Sequence, residues 1–164
     1  MKKLLYCLAA FCLVACDGNN PEDANYVNLG LPSHTKWKIE NEQNPDDKYN
    51  LFTFSEADSL FREFIPREDQ WRELLDKCTW KWNGSGYTVT GPNGKSITLP
   101  ADGYRYSGRR DKVNFVGRAG YYWGDIGKDV HHTSFVNRLY IDSANAHIEP
   151  ARYWTPTYSL RLVK

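Results

Sequence analysis

The feature that most constrains this chain is a change of apolar period at Cys78. Trp71, Leu74, Leu75 and Cys78 fall at i, i+3, i+4 and i+7, the stripe of an amphipathic helix. Directly afterwards Trp80 and Trp82 alternate with Thr79 and Lys81, the pattern of a half-buried strand. The alternation continues through Tyr87-Thr88-Val89-Thr90 and Ser96-Ile97-Thr98-Leu99, separated by the turns Asn83-Gly84-Ser85-Gly86 and Gly91-Pro92-Asn93-Gly94. A chain that switches period in this way has to pack helix against sheet, which predicts an α+β domain.

The remaining elements follow from the same signals. Upstream, Tyr26-Val27-Asn28-Leu29 and Lys36-Trp37-Lys38-Ile39 read as strands, and the polar stretch from Glu40 to Asn50 as a loop. Ser55 and Asp58 make a near-match to a capping box, with Leu60, Phe61 and Phe64 as the apolar face of the helix they open. Pro66 ends that helix and opens the next, whose first turn carries Glu68 and Asp69. Pro100 to Asp111 is rich in loop residues, and later strands are predicted at Gly120 to Trp123, Phe135 to Asp142 and Tyr158 to Val163. No internal repeat is visible.

The first sixteen residues bear on location. Lys2 and Lys3 precede an apolar run from Leu4 to Val14, long enough for a signal-peptide core and too short to span a bilayer. The run ends in Leu13-Val14-Ala15-Cys16, which resembles the lipobox of bacterial lipoproteins. The resemblance implies cleavage before Cys16, so that 1–15 is a signal peptide, with a diacylglycerol on the Cys16 thiol and an acylated amino group. Several acyl chains, at about 0.8 kcal/mol per buried methylene, make a durable membrane anchor. Residues 16–25 then form the lipidated cysteine and a polar tether containing Pro21. Its acidic residues Asp17, Glu22 and Asp23 suit display at the cell surface. The expected location is the cell envelope, at the outer membrane, periplasmic or surface-exposed.

Loss of the leader takes two lysines away and moves the formal charge from +1 to −1. That balance argues against a nucleic-acid partner, which calls for a basic surplus. Cys7 and Cys12 leave with the leader and Cys16 is modified, so Cys78 stands alone, with no intramolecular disulfide to help the fold. A chain of roughly 150 residues buries about two-thirds of its unfolded surface, enough for one domain. An aromatic content of 15% with a single Met points to a rigid core of rings.

Several blocks are similar to one family. They are Tyr26-Val27-Asn28-Leu29-Gly30-Leu31-Pro32-Ser33-His34-Thr35-Lys36-Trp37; Ile65-Pro66-Arg67 with Trp71-Arg72-Glu73-Leu74-Leu75 and Cys78-Thr79-Trp80; and the long block from Gly91-Pro92-Asn93-Gly94 to Ala101-Asp102-Gly103-Tyr104-Arg105. Gly120-Tyr121-Tyr122-Trp123 and Tyr158-Ser159-Leu160-Arg161-Leu162-Val163 complete the order. Together they resemble the Fibrobacter succinogenes major paralogous domain over most of 26–164. The resemblance implies a C-type-lectin-like fold, two helices beside a twisted, mainly antiparallel sheet with long loops. It also implies an exported or lipid-anchored protein with no general enzymatic activity. The chain departs from the family at Tyr49 to Phe54, where an aromatic-Trp-Gly-Glu segment is shortened. It departs again at Gly124-Asp125, where two serines are usual, and at Leu162, where proline is usual.

A lectin-type fold raises the question of calcium. Glu149-Pro150-Ala151 and Trp123-Gly124-Asp125 stand where sugar-binding relatives of the fold carry Glu-Pro-Asn and Trp-Asn-Asp. Both lack the amide that ligates ion and sugar together, so Pro150 is expected to shape a loop and Asp125 to cap a turn. His131-His132 point apart if on a strand and have no partner of suitable spacing, so no metal and no cofactor is expected. Ser33 beside His34, and Ser134 near His132, lack any nucleophile elbow or oxyanion signature. The chain reads as a non-enzyme.

The basic run Gly108-Arg109-Arg110-Asp111-Lys112 and the rings around it are the candidate ligand surface. Tyr104, Arg105, Tyr106, Arg109, Tyr122 and Trp123 are the predicted binding residues, since rings and guanidiniums suit stacking on sugars and protein hot spots. Alternation along Tyr121-Tyr122-Trp123 puts about half of the rings inside. The expected function is a non-catalytic binding module for an extracellular protein or glycan. The rivals are an accessory structural subunit of a surface assembly, and an oxidase of the formylglycine-generating type, whose chemistry depends on cysteines.

Overall fold

The structure, a computed structural model, describes residues 24–106, 108, 109, 111–126, 135–152, 154 and 156–164. Cys16, the leader, the tether up to residue 23 and the His131-His132 pair lie outside the described residues. Among the described residues every strand pair is antiparallel, and two helices precede most of the strands, so the protein is α+β.

The chain opens with a hairpin of β1 (Tyr26–Asn28) and β2 (Lys36–Lys38). Helix α1 (Phe54–Phe61) follows, continued by a 3₁₀ turn (Arg62–Phe64), and then α2 (Glu68–Lys77). The period change at Cys78 is where α2 hands over to β3 (Thr79–Trp82), which forms a sheet with β4 (Gly86–Thr90) and β5 (Ser96–Pro100) in the order β3-β4-β5. A second sheet has the order β7 (Ala119–Trp123), β8 (Phe135–Asp142), β9 (Ala146–Arg152). Two short strands, β6 (Arg105–Tyr106) and β10 (Pro156–Thr157), pair with each other.

Four expectations need correction. The capping box of α1 starts two residues earlier than predicted: Thr53 Oγ1 accepts from the Glu56 amide at 3.2 Å, and Glu56 Oε2 from the Thr53 amide at 2.7 Å. That start rotates the helix so that Phe54 and Ala57 are buried, while Leu60 is 65% and Phe64 44% exposed. Pro150 does not shape a loop; it lies in β9 opposite Asn137, on the outer strand of its sheet, where a missing N–H costs no ladder bond. Asp125 caps a helix, its Oδ1 accepting from the first amide of α2 at Glu68 (3.1 Å). The strand expected over Tyr158 to Val163 is present only as single bridges to Phe52, Tyr122 and Trp37, and β10 ends just before it.

β7 is the hinge of the packing, buried along its whole length. One face of its sheet presents Tyr122, Leu139 and Ile141 to α2, β4 and β5, where Trp71, Leu74, Val89, Ile97 and Leu99 meet them. Trp71 also meets Trp37 of β2, with ring centres 4.8 Å apart and the planes tilted by 48°. The other face presents Ala119, Tyr121, Trp123 and Val136 to α1 and to Tyr158, Leu160 and Leu162 of the C-terminal segment. Two cores therefore share one sheet, and a large ring fully buried in either contributes about 1.5–3 kcal/mol.

The C-terminal segment is locked by Arg161, only 1% exposed. Its Nη1 donates to the carbonyls of Lys38 (2.7 Å) and Ile39, Nη2 to Thr98 O (2.7 Å), and Nε to Asn41 Oδ1 (3.0 Å). Those acceptors belong to the start of the domain and to β5, so one side chain ties both ends together. Gly91 permits a comparable approach, since a Cβ there would sit 2.1 Å from Leu29 O.

Candidate functional site

The second face of the β7-β8-β9 sheet is only partly covered, and its open end is a cleft of about 340 Å³. Its floor is Tyr121 of β7 and Arg138 of β8, and its walls are Tyr104, Tyr106, Phe115 and Tyr158. The ring geometry is continuous. Tyr104 makes edge contacts with Tyr106 (5.2 Å) and Tyr121 (5.1 Å) and stacks on Phe115 at 6.0 Å. Tyr121 in turn stacks on Tyr158 at 5.5 Å and meets Tyr140 edge-on at 5.2 Å. Edge and offset contacts of this kind suit the ring quadrupole, so the walls are held stiffly.

Strand register puts Arg138 there. Val136, Arg138 and Tyr140 share one face of β8, and Arg138 stands directly opposite Glu149 in β9. Its Nε and Nη2 both donate to Glu149 Oε1, at 3.0 and 2.7 Å, and its Nη1 donates to the Tyr158 hydroxyl. The guanidinium also lies 5.1 Å from the ring centres of Tyr121 and Tyr158. Cation–π attraction to both rings and a charge-assisted pair therefore fix its orientation.

The phenols around it stay protonated at neutral pH. Its hydrogen bond to Tyr106 holds the Tyr104 proton, pushing that phenol up to about 12. Burial does the same for Tyr140 and Tyr158, both about 12, against an opposing pull from Arg138 on Tyr158. The hydroxyls are neutral donors and acceptors.

Of the predicted binding residues, the structure brings Tyr104 and Tyr106 into this cleft, with Tyr106 half exposed at 50%. Arg105 faces the other way, because neighbours on a strand point to opposite sides. It pairs with Asp47, 12% and 5% exposed respectively, beside a separate, polar depression bordered by Asp46, Thr53 and Glu56. Arg109 is exposed on the loop and outside the cleft lining. Tyr122 and Trp123 are corrections: both are fully buried and offer no face to a ligand. Tyr122 OH donates to Pro100 O (2.6 Å) and Trp123 Nε1 to Phe52 O (2.8 Å), so even their polar atoms are spent internally. Both faces of β7 are covered, which local alternation does not reveal.

Arg138, Phe115 and Tyr158 were missed as site residues. The signal for Arg138 was available: a lone cation among Val136, Tyr140 and Leu139 within a predicted strand is a polar group on a covered sheet.

The other chemistries are answered locally. Cys78 closes α2 half-buried, and burial pushes its thiol up to about 11, the opposite of an activated nucleophile. Ser33 Oγ is engaged by Glu73 Oε2 at 2.5 Å and bears no relation to a catalytic histidine. Among the described residues, no three His, Cys, Asp or Glu side chains converge as metal ligands, and no helix is long and apolar enough to cross a membrane. No protein-family model, curated protein or solved structure matches this chain.

Proposed function

We propose that this chain is a lipoprotein of the cell envelope, anchored through Cys16 and carrying one C-type-lectin-like domain of the Fibrobacter succinogenes major paralogous type. The domain acts as a non-catalytic binding module for an extracellular glycan or protein. The observation that carries this reading is the cleft of Tyr104, Tyr106, Phe115 and Tyr158 over a fixed Arg138, which offers ring faces and directed N–H donors in one place. Two helices beside antiparallel sheets and a long segment between β5 and β7 support the fold assignment. The lipobox-like Leu13-Val14-Ala15-Cys16 supports the anchor.

The test is a glycan and host-protein array probed with the full-length protein, with and without chelator, alongside Tyr106→Ala. Binding that survives chelation and falls at least tenfold in the variant is the expected result. Binding that Tyr106→Ala leaves intact removes the cleft from the reading.

A second reading, an accessory subunit of a surface assembly, is favoured by one observation: Leu60 and Phe64 stand exposed on consecutive turns of α1 and its 3₁₀ extension. Crosslinking on cells decides it. A single crosslinked partner lost on Leu60→Glu favours the assembly, and a protein that stays monomeric removes it.

A further inference from the structure

The geometry points to a carboxylate-bearing sugar, such as a uronic acid or sialic acid unit, as the ligand class of the tyrosine cleft. This rests on the binding-module reading and narrows it.

The size of the cleft comes first. About 340 Å³ lies at the low end of the roughly 300–1,000 Å³ common for small-ligand sites, so it takes one or two sugar rings and not a helix or a folded surface. The character of the walls comes second. A dry aliphatic pocket would suit Leu or Phe anchors of a peptide, whereas three of these four walls, Tyr104, Tyr106 and Tyr158, are phenol rings and the fourth is Phe115. Tyr106 and Phe115 are 50% and 51% exposed, so their faces are open to a ligand. The axial C–H groups of a pyranose are weakly positive and pack on the negative face of such a ring, while its hydroxyls meet the phenols.

Charge decides between neutral and acidic sugars. Among the described residues two arginines, Arg138 and Arg152, and no acidic residue line the cleft. Glu149, opposite Arg138 on the same face of the sheet, spends Oε1 on its charge and stands outside the lining. Glu149 also takes up the Nε edge of Arg138 and Tyr158 one Nη1 hydrogen, which leaves one N–H on each terminal nitrogen without a described partner. Arg152, exposed on the edge strand opposite Phe135, is the second arginine of the lining, with its guanidinium 5.8 Å from the Trp154 ring centre. The Arg138 fork on the floor, ring faces on the walls and Arg152 on the edge strand match a ligand with a carboxylate on an apolar ring. Because Tyr104 and Tyr158 are held protonated, no phenolate opposes that negative charge.

The test measures binding of the full-length protein to tetragalacturonate, a hyaluronan tetrasaccharide and sialyllactose, each against its carboxyl-reduced counterpart, at low and at physiological salt. The inference expects at least one acidic probe to bind tenfold or more tighter than its reduced form, with affinity falling as salt rises. Arg152→Gln should remove most of that discrimination, and Phe115→Ala should weaken both forms together. Equal binding of acidic and reduced probes, lost on Tyr106→Ala, overturns the acidic-sugar inference and leaves the cleft reading standing. Binding insensitive to Tyr106→Ala and Phe115→Ala overturns both. Failure of every acidic probe at millimolar concentration, while a peptide or neutral glycan from the array binds through Tyr106, overturns the inference alone.

Discussion

The two faces of the β7-β8-β9 sheet are built from the same strands, alternate residues apart, and have opposite characters. Towards α2, Tyr122, Leu139 and Ile141 meet Trp71, Leu74, Ile97 and Leu99 in a core of rings and aliphatic chains. Away from it, Tyr121, Arg138 and Tyr140 form a face with a cation in the middle and an open end. The helix side contributes stability through area removed from water. The cleft side keeps a half-buried ion pair, which adds little net stability against an apolar replacement. On the proposed reading its value lies in what it presents to a ligand. The difference teaches that period-2 alternation divides residues between faces, while the elements laid over each face decide what those residues are for.

The largest expected effect lies on the helix side. Trp71→Ala removes a fully buried ring that touches both Trp37 and Tyr122. Loss of such a ring costs about 3–5 kcal/mol, or roughly 10 °C or more in Tm for a domain of this size. Urea unfolding of the purified protein measures it. A cost below about 1 kcal/mol would mean that the helix side is not the stabilising face.

Arg138→Ala tests the other face at its centre. The substitution strands Glu149 and withdraws the cation from Tyr121 and Tyr158, and a cost of about 1–2 kcal/mol is expected. Arg138→Met combined with Glu149→Leu, which leaves no stranded charge, should recover most of that stability and none of the ligand binding. Recovery of both would show that the guanidinium has no part in recognition.

Alkaline titration probes both faces, since burial raises the Tyr122 phenol on the helix side as well as the phenols of the cleft. Tyr104, Tyr140 and Tyr158 titrate near 12 in the folded protein, against about 10 in an unfolded chain. Their folded pKa values are raised, so the stability they contribute is complete below about pH 10 and is lost as pH rises through 12. The whole effect, after screening of the more exposed rings, is on the order of 1–2 kcal/mol. Stability followed by urea midpoint should fall over that window, and Tyr158→Phe should flatten the fall most, since Tyr158 is the best enclosed of the three. A profile unchanged by Tyr158→Phe would refute the enclosure of that hydroxyl.

Much of this architecture was legible in the residues, and what was not has identifiable causes. The change of period at Cys78, the turns at Asn83 to Gly86 and Gly91 to Gly94, and the bounds of β8 all rest on local signals, and the structure agrees with them. Strand β9 was missed because Glu149-Pro150 reads as loop, and only pairing with β8 makes it a strand. With β9 missing, the cross-strand partner of Arg138 was missing too, so nothing tied its charge to a site. Tyr122 and Trp123 went to the ligand site because the cover over β7 comes from α2, β4 and β5 on one face and from α1 and residues 158–162 on the other, all distant in sequence. Leu60 and Phe64 went to the core because Ser55 competed with Thr53 as the cap, and a two-residue shift rotates a helix by more than half a turn.

The smallest expected effect on stability carries the most weight for function. Tyr106 is half exposed, touches Tyr104 edge-on and accepts its hydroxyl hydrogen at 3.2 Å. Tyr106→Ala should therefore change unfolding by no more than about 0.5 kcal/mol, as for other surface substitutions. A ring that anchors a ligand commonly costs more than about 1 kcal/mol when truncated, so binding should fall roughly tenfold or more. The two readouts then move apart in one variant, unlike Trp71→Ala, where binding falls only because the fold fails. If Tyr106→Ala instead lowered Tm as steeply as a core truncation, the tyrosine walls would be a third layer of core, and both faces of the sheet would serve stability alone.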